Sequence, residues 1–287
     1  MTFRHILFPV DFSERSYSAA PYVKAMAAHY NASVSILHVV ETPGWIAASD
    51  GAYIAEFDLP KIVEEVTAKL GIFAADCFPG IDVTQLVEDG EAGTCVADIA
   101  KTRGADLIMM PTHGRGTFRA ALLGSVTAKV LHDAECAVWT GVHLDQPVPP
   151  QHTDVKTVMC ALDLEPGSIG LIRHAANIAK DWDARVFLVH AVPGAETRPA
   201  LYFDAPFENV LKERARAEIA KLQAETETNF EVCIEAGSVP GVVSQAARHH
   251  SGDLVLIGRG VINQFAGRLR SKVYGIIREA PCPVLSL

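Results

Sequence analysis

The hydrophobic residues of this chain fall into short continuous runs that are separated by longer amphipathic stretches. In the first half the runs are HILFPV (5–10), SVSILHVV (33–40), ADLIMM (105–110) and CAVWTGV (136–142). Apolar runs of this length predict strands that are buried on both faces of a sheet. The stretches at 13–30, 60–75, 94–103 and 118–132 have the length and spacing of amphipathic helices. The pattern therefore predicts strands that alternate with helices.

The second half of the chain repeats the first. HILFPVDFSERS (5–16) is echoed by TVMCALDLEPGS (157–168). The aligned pairs are Asp11 with Asp163, His38 with His190, Gly90 with Gly237, Asp106 with Asp253, and Cys136 with Cys282. Such a repeat predicts two tandem domains, residues 1–143 and 154–287. The Pro-rich segment LDQPVPPQHT (144–153) is the expected linker.

Alternating strands and helices imply right-handed crossovers and an α/β fold. We expect two doubly wound, Rossmann-like domains, each with a five-stranded parallel sheet and helices on both faces. Ligands of such sheets bind beyond the carboxyl ends of the strands, at the topological switch point. The apolar final strand of each domain should lie at a sheet edge, which is a liability unless it pairs. We therefore expect the two domains to pair through these strands as a pseudo-dimer.

Composition and charge exclude several classes of protein. The chain has 287 residues, 49% hydrophobic, with a net charge of −9 and no basic stripe. Intrinsic disorder, nucleic-acid binding and binding to anionic membranes are not expected. No apolar run approaches the length of a membrane helix, and the first residues lack the layout of a signal peptide. Six cysteines without a CxxC pair indicate reduced thiols and a cytoplasmic protein. No metal-binding motif occurs.

Candidate ligand-binding residues follow the first and fourth predicted strands. Asp11 and its counterpart Asp163 are either helix caps or carboxylates that accept hydrogen bonds from ribose hydroxyls. After the fourth strand, Gly114 begins a glycine-containing loop, and Gly124-Ser125 lies near the start of the next helix. Backbone amides in such loops and at helix N-termini bind phosphate. The loop is neither a Walker A motif nor a GxGxxG motif.

Together, THGRGTFRAALLGSVTAKVL (112–131), ILFPVDFSERS, LHVVE and the endings CAV and CPVL resemble the universal stress protein family, in two tandem copies. The resemblance implies a five-stranded parallel α/β domain and, in the nucleotide-binding branch of the family, a G-x2-G-x9-G-[ST] motif for the phosphates of ATP. The motif falls on Pro111, Gly114, Gly124 and Ser125, so a proline without an amide replaces the first glycine. The implied nucleotide site comprises Asp11 at the ribose, Val39 at the adenine, and Pro111, His113, Gly114, Arg115, Gly124, Ser125, Val126 and Thr127 around the phosphates.

The second repeat departs further from the motif. Its candidate site comprises Asp163, Gly258, Gly260, Arg270 and Ser271, with Arg270 at the place of the third glycine. The arginine side chain either fills the phosphate position or pairs with a bound phosphate. The first repeat is the better candidate for a nucleotide site.

Histidines and aromatic residues outside these motifs have less specific interpretations. His38 and His190 lie in buried strand patterns and are expected to be hydrogen-bonded core residues. His249 and His250 are adjacent, so on a helix they diverge, and we expect them at the surface. The loops 43–59 and 193–207 carry aromatic residues that either cover a ligand or pack against the other domain.

Three functions remain open. The first is a non-catalytic, cytoplasmic stress-response regulator that binds ATP, with or without Mg²⁺, in at least the first domain. The second is a nucleotide-free scaffold whose two sites are degenerate, as Pro111 and Arg270 favour. The third is a slow ATP hydrolase on the same fold, although no positioned nucleophile and base are apparent. Association of two chains into a homodimer is compatible with each of them.

Overall fold

The computed structural model describes residues 2–41, 58–114, 123–142, 152–194, 205–259 and 268–287. The side chains of 205, 206 and 268–271 are outside that description, as are Arg115, Gly260 and most of the loops 43–59 and 193–207. The chain divides into two compact units, one formed mainly by residues 2–139 and the other mainly by residues 154–287.

Each repeat contains five strands and four helices within its described residues. The first repeat has β1 (His5–Pro9), α1 (Glu14–Tyr30), β2 (Ser33–Val40), α2 (Leu59–Cys77), β3 (Val83–Asp89), α3 (Ala92–Arg103), β4 (Leu107–Met110), α4 (Ser125–Asp133) and β5 (Ala137–Thr140). The second repeat has β6 (Thr157–Ala161), α5 (Ser168–Trp182), β7 (Arg185–Val192), α6 (Ala205–Thr226), β8 (Glu231–Ala236), α7 (Val239–His249), β9 (Leu254–Ile257), α8 (Arg268–Glu279) and β10 (Val284–Ser286).

The strand order is the same in both repeats and confirms the predicted doubly wound fold. In the first repeat it is β3-β2-β1-β4-β5, and in the second β8-β7-β6-β9-β10. β1 pairs in parallel with both β2 and β4, and β6 does so with β7 and β9. The chain thus moves outward from the central strand and returns to its other side. The switch point of each sheet lies between the central strand and the fourth strand of its repeat.

In each repeat, an aspartate just before the fourth strand is hydrogen-bonded to the backbone at the start of the first strand. The Asp106 carboxylate accepts hydrogen bonds from the backbone N–H groups of Arg4 and His5, at 2.9 and 3.2 Å. The Asp253 carboxylate accepts them from Lys156 and Thr157, both at 2.9 Å. These repeated aspartates therefore have a structural role at the amino ends of the strands, opposite the candidate site.

One predicted helix begins later than its sequence pattern suggested. The amphipathic stretch predicted a helix over 118–132, whereas α4 begins at Ser125, and Leu123 and Gly124 are not helical. Gly124 has an extended backbone (φ −58°, ψ 143°), and its N–H donates to the Thr112 carbonyl at 3.0 Å. The prediction was wrong at these two residues. The bond from Gly124 to Thr112 holds Gly124 in an extended conformation, so the helix begins only at Ser125. Residues 118–122 lie outside the described part.

Among the described residues, the helices are too short or too polar for any of them to cross a lipid bilayer.

Candidate functional site

Asp11 lies at the switch point of the first repeat, in the turn between β1 and α1. Its Oδ1 accepts hydrogen bonds from the Ser13 N–H at 3.0 Å, the Ser13 hydroxyl at 2.6 Å and the Ser16 hydroxyl at 2.7 Å. Ser13 is the N-cap of α1, and Ser16 is buried. These bonds fix the carboxylate relative to the helix, so Asp11 contributes to the helix cap, as the structural interpretation of this residue predicted.

The other carboxylate oxygen of Asp11 faces the loop that follows β4. A Cβ atom built on Gly114 would overlap with Asp11 Oδ2. The loop therefore approaches the carboxylate so closely that only glycine fits at position 114 without a local shift. Asp11 is half-buried and Gly114 is exposed, so this contact lies at the mouth of the switch point.

The residue after the aspartate is left-handed in both repeats. Phe12 has a φ of 60° and Leu164 a φ of 61°, which is an unfavourable region for residues with a Cβ. The Phe12 ring stacks on the His38 ring, with centroids 4.6 Å apart and an interplanar angle of 28°. Strain of this kind persists only where surrounding contacts hold it in place. Both repeats therefore have the same left-handed residue in the turn after their first strand.

Val39 belongs to the part of β2 that extends beyond the end of β1. Alternate residues of a parallel strand bond to the same neighbour. The Leu37 carbonyl accepts from the Val10 N–H at 2.8 Å, and the Val40 carbonyl accepts from the Gly90 N–H at 3.1 Å. Val39 therefore directs its backbone toward the β1 side, but the pairing of β1 stops at Pro9 with Leu37. The backbone of Val39 consequently faces the space beyond the end of β1, beside the switch point.

The loop after β4 packs against the beginning of α4. The Thr127 hydroxyl is buried and donates to the carbonyls of Pro111 and Thr112, at 3.2 and 3.3 Å. His113 is half-buried, and its Nδ1 lies 3.3 Å from the Thr112 hydroxyl. Pro111 supplies no backbone N–H, so it contributes an acceptor to this loop and no donor. The side chain of Thr127 therefore holds the loop against α4.

The N-terminus of α4 is the strongest candidate for an anion site. Ser125, Val126 and Thr127 are its first three residues, so their N–H groups have no acceptor within the helix. A Cβ atom on Gly124 would lie 3.0 Å from the Thr112 carbonyl and 3.4 Å from the His113 Cα. Gly124 thus lets the loop sit directly against the helix terminus. Asp11, Gly114 and this terminus are joined by direct contacts through residues 112–114.

The second repeat reproduces the aspartate turn but not the helix terminus. Asp163 Oδ1 accepts hydrogen bonds from the Glu165 N–H at 3.0 Å and the Ser168 hydroxyl at 3.1 Å, although Asp163 itself is exposed. Helix α8 begins at Arg268, so Arg270 and Ser271 lie inside its first turn. Gly124, the counterpart of Arg270, lies before its helix. Gly258 is exposed at the end of β9, and its partner in the motif, Gly260, lies outside the described residues.

The strand histidines are hydrogen-bonded as predicted. The His38 Nδ1 lies 2.6 Å from the Val10 carbonyl, and the His190 Nδ1 lies 2.9 Å from the Leu162 carbonyl.

His250 does not lie at the surface as predicted. It is half-buried, stacks on Phe187 with centroids 4.0 Å apart, and places its Nε2 3.4 Å from the Cys233 sulfur. The surface prediction was wrong for His250 because α7 ends at His249 and the next residue turns inward.

Burial raises the pKa of several thiols. The pKa of Cys77 rises to about 11, with the nearby Asp76 adding to the effect of burial. The pKa of Cys282, in the final strand region, rises to about 12, mainly because of burial. Burial and then the flanking Glu231 and Glu235 raise the pKa of Cys233. These thiols are therefore protonated at neutral pH and are poor nucleophiles.

Within the ranges that the structure covers, no three His, Cys, Asp or Glu side chains converge as metal ligands.

Comparison with known proteins identifies the family. The universal stress protein family matches residues 2–140 and 154–287. The chain belongs to this family. A universal stress protein of Synechocystis is 30% identical over 47% of this chain and 83% of its own length. A universal stress protein A homologue of Coxiella burnetii is 30% identical over 48% of this chain and 98% of its own length.

Solved structures of universal stress proteins share the fold over the whole chain. A universal stress protein from Archaeoglobus fulgidus superimposes with a TM-score of 0.68 at 19% identity, covering 99% of this chain and 97% of that one. A putative universal stress protein from Pseudomonas aeruginosa superimposes with a TM-score of 0.63 at 18% identity, covering 99% and 93%. This similarity shows the tandem α/β fold.

Several residues that hold the site together were not predicted from the sequence to do so, although Ser13 and Ser16 marked the start of a helix. Ser13 and Ser16 hold Asp11, and Thr112 supplies the carbonyl that accepts from both Gly124 and Thr127. Their signal was weak, because a serine near a helix start is a common cap and a threonine after a strand has no specific pattern. Only the tertiary contacts distinguish them.

Proposed function

We propose that this protein is a non-catalytic universal stress protein that binds an adenine nucleotide, ATP, at the switch point of its first repeat. The residues that would hold it are Asp11 at the ribose, the backbone of Val39 at the base, and Gly114 with the N-terminal amides of α4 at the phosphates. The observation that carries the proposal is the contact between the Asp11 carboxylate, the loop 111–114 and the Gly124 terminus. His113 lies within this loop, and we extend the proposal to it and to Arg115.

The chemistry of these groups fits a nucleotide. A helix N-terminus with three N–H groups lacking intrahelical acceptors attracts phosphate, and a glycine at the cap admits the phosphate to the backbone. The carboxylate of Asp11 can accept hydrogen bonds from the two ribose hydroxyls, as acidic residues of other doubly wound sheets do. The described residues offer no cluster of carboxylates for Mg²⁺. Any Mg²⁺ would therefore be held chiefly by the phosphates and water.

Calorimetric titration with Mg-ATP tests the proposal. The change Asp11→Asn keeps an Oδ1 acceptor for Ser13 and Ser16 and removes the negative charge. We expect it to lower the affinity about tenfold, equivalent to ~1.4 kcal/mol. The change Asp163→Asn removes the same charge at the aligned position of the second repeat. Loss of binding in Asp163→Asn alone would move the nucleotide to the second repeat, and no binding of adenine nucleotides by the wild type would reject the proposal.

The alternative scaffold function is favoured by a specific feature of the second repeat. The residue aligned with the cap Gly124 is Arg270, which lies inside the first turn of α8. The second site, if it binds at all, would therefore hold an anion through a different arrangement. We propose one nucleotide per chain, and a stoichiometry of two in the same titration would contradict this. Slow release of phosphate from bound ATP would support the hydrolase alternative.

We further propose that the protein acts in the cytoplasm in the response to stress, with nucleotide occupancy controlling its choice of partners. The two repeats are proposed to pair through their final strands, because both of these strands are apolar. The domain limits 1–143 and 154–287 belong to the same proposal. Association of two whole chains is tested by measuring the mass of the particle in solution with and without ATP.

A further inference from the structure

The end of β1 departs from the regular hydrogen-bonding pattern of a parallel sheet. Because the Val10 N–H donates to the Leu37 carbonyl, the next bond of the ladder would join the Val39 N–H to the Val10 carbonyl. That bond is not formed, and the pairing of β1 with β2 ends at Pro9 and Leu37. The Val10 carbonyl instead lies 2.6 Å from the Nδ1 of His38. A carbonyl only accepts, so the imidazole carries its proton on Nδ1 and donates it there.

The second repeat contains the same substitution of a side chain for a backbone bond. The Leu162 N–H donates to the Val189 carbonyl at 2.8 Å, and the pairing of β6 with β7 ends at Ala161 and Val189. The Leu162 carbonyl lies 2.9 Å from the Nδ1 of His190. In both repeats, therefore, a histidine side chain contacts the carbonyl at which the backbone pairing of the first two strands stops.

The His38 ring also supports the turn that carries Asp11. It stacks on Phe12, whose left-handed backbone directly follows Asp11. Phe12 in turn packs edge-on against Phe73 of α2, with centroids 6.3 Å apart. The His38 side chain thus contacts the carbonyl of Val10, just after β1, and the ring of Phe12, the residues on either side of Asp11.

We propose that His38 is a positioning residue of the nucleotide site. His38 donates to the Val10 carbonyl at the place where the Val39 N–H would continue the ladder, and the Val39 N–H is kept for an acceptor nitrogen on the edge of a heteroaromatic base. This inference rests on the proposed function, because it assigns the Val39 N–H to the ligand.

Two substitutions at position 38 separate the donor from the ring. His38→Phe keeps a ring that can stack on Phe12 and removes the donor, so the Val10 carbonyl is left to the Val39 N–H. His38→Asn keeps a donor at the place of Nδ1 and removes the ring. We expect His38→Phe to lower the affinity for Mg-ATP about tenfold, which is the loss of roughly one hydrogen bond. His38→Asn should retain the affinity within about threefold.

Amide hydrogen exchange of Val39, followed by NMR in the absence of ligand, provides a measurement that does not depend on ATP. The Val39 N–H should exchange more slowly in His38→Phe than in the wild type, because it gains the Val10 carbonyl. His190→Phe is the matched control, and it should slow the exchange of Ala191 and not that of Val39. Unchanged Val39 exchange and unchanged ATP affinity in His38→Phe would overturn the inference, as would an equal loss of affinity in His38→Asn.

The same measurements separate this inference from the proposed function. If the wild type binds no adenine nucleotide, the proposed function fails, and the assignment of the Val39 N–H to a base fails with it. If the wild type binds ATP and His38→Phe binds it equally well, only the positioning role of His38 fails. Thermal unfolding of both variants shows whether a loss of affinity reflects a loss of fold.

Discussion

At the scale of single residues, the candidate site depends on glycines, because their lack of a side chain lets segments of the backbone lie close together. Gly124 is the N-cap of α4, and a Cβ atom there would lie 3.0 Å from the Thr112 carbonyl. Contacts this short require a neighbour to move, and the neighbour here is backbone. Gly167 is also an N-cap glycine, of α5 in the second repeat, but a Cβ atom there meets nothing within 4 Å. The two glycines therefore differ in what a side chain would disturb.

We predict that Gly124→Ala displaces the loop 111–113 from the helix terminus and lowers the affinity for Mg-ATP about tenfold, or ~1.4 kcal/mol. The physical reason is that the loop and the N–H groups of Ser125, Val126 and Thr127 form one surface. Isothermal calorimetry measures the affinity, and Gly167→Ala is the matched control, for which we expect no change. Equal affinities of Gly124→Ala and the wild type would show that the phosphates do not approach this terminus.

At the scale of elements, each repeat packs two helices so closely that one of them needs a glycine at the contact. In the first repeat a Cβ atom on Gly93 of α3 would lie 2.7 Å from the Cβ of Lys129 on α4. In the second repeat a Cβ atom on Gly275 of α8 would lie 2.5 Å from the Cγ of Pro240 on α7. Pro240 aligns with Gly93, and Gly275 aligns with Lys129. The same contact is thus kept by a glycine on opposite helices.

We predict that Gly93→Ala and Gly275→Ala each lower the free energy of unfolding by about 1–3 kcal/mol, because the added methyl group overpacks the helix contact. Gly170→Ala is the control, since Gly170 lies within α5 and a Cβ atom there meets nothing within 4 Å. It should raise stability by about 0.5–1 kcal/mol, because alanine is the better helix former. Urea unfolding measures all three. Stabilisation by Gly93→Ala would show that the helices can separate without cost.

At the scale of the whole molecule, the chain consists of two compact units with the same strand order. The units share the aspartate turn, the left-handed residue after it and the strand histidine, but they differ at the third glycine of the motif. A duplicated fold with one altered copy is compatible with one copy binding nucleotide and the other serving a structural role. Whether the two units stay together without the linker is a direct question about their proposed pairing.

We predict that the two halves remain associated when the chain is cut within residues 144–153. A recognition sequence for a specific protease placed in this segment allows the cut, and gel filtration of the cleaved protein measures the mass of the product. Pairing through two apolar final strands should keep the halves in one particle at micromolar concentration. Elution as two separate folded halves would contradict the pairing, while unfolded fragments would contradict the domain limits 1–143 and 154–287.

The sequence by itself determined the duplication, the alternation of strands and helices, and the positions after the strands where a ligand site belongs. These follow from hydrophobic periodicity and self-similarity, which are local or linear properties. Asp11, Gly114 and Gly124 stand out from the sequence for this reason. Their predicted binding roles stay predictions, which the titrations described above test.

Only the tertiary structure decided how these residues are held. The start of α4 at Ser125, the inward turn of His250 and the replacement of a ladder bond by the His38 imidazole each depend on a partner far away in the chain. The spacing of hydrophobic residues does not indicate whether the Val10 carbonyl accepts a hydrogen bond from a backbone N–H or from a side chain, because both arrangements have the same hydrophobic pattern. The orientation of the Asp11 carboxylate is likewise set by its hydrogen bonds to Ser13 and Ser16 and its approach to Gly114.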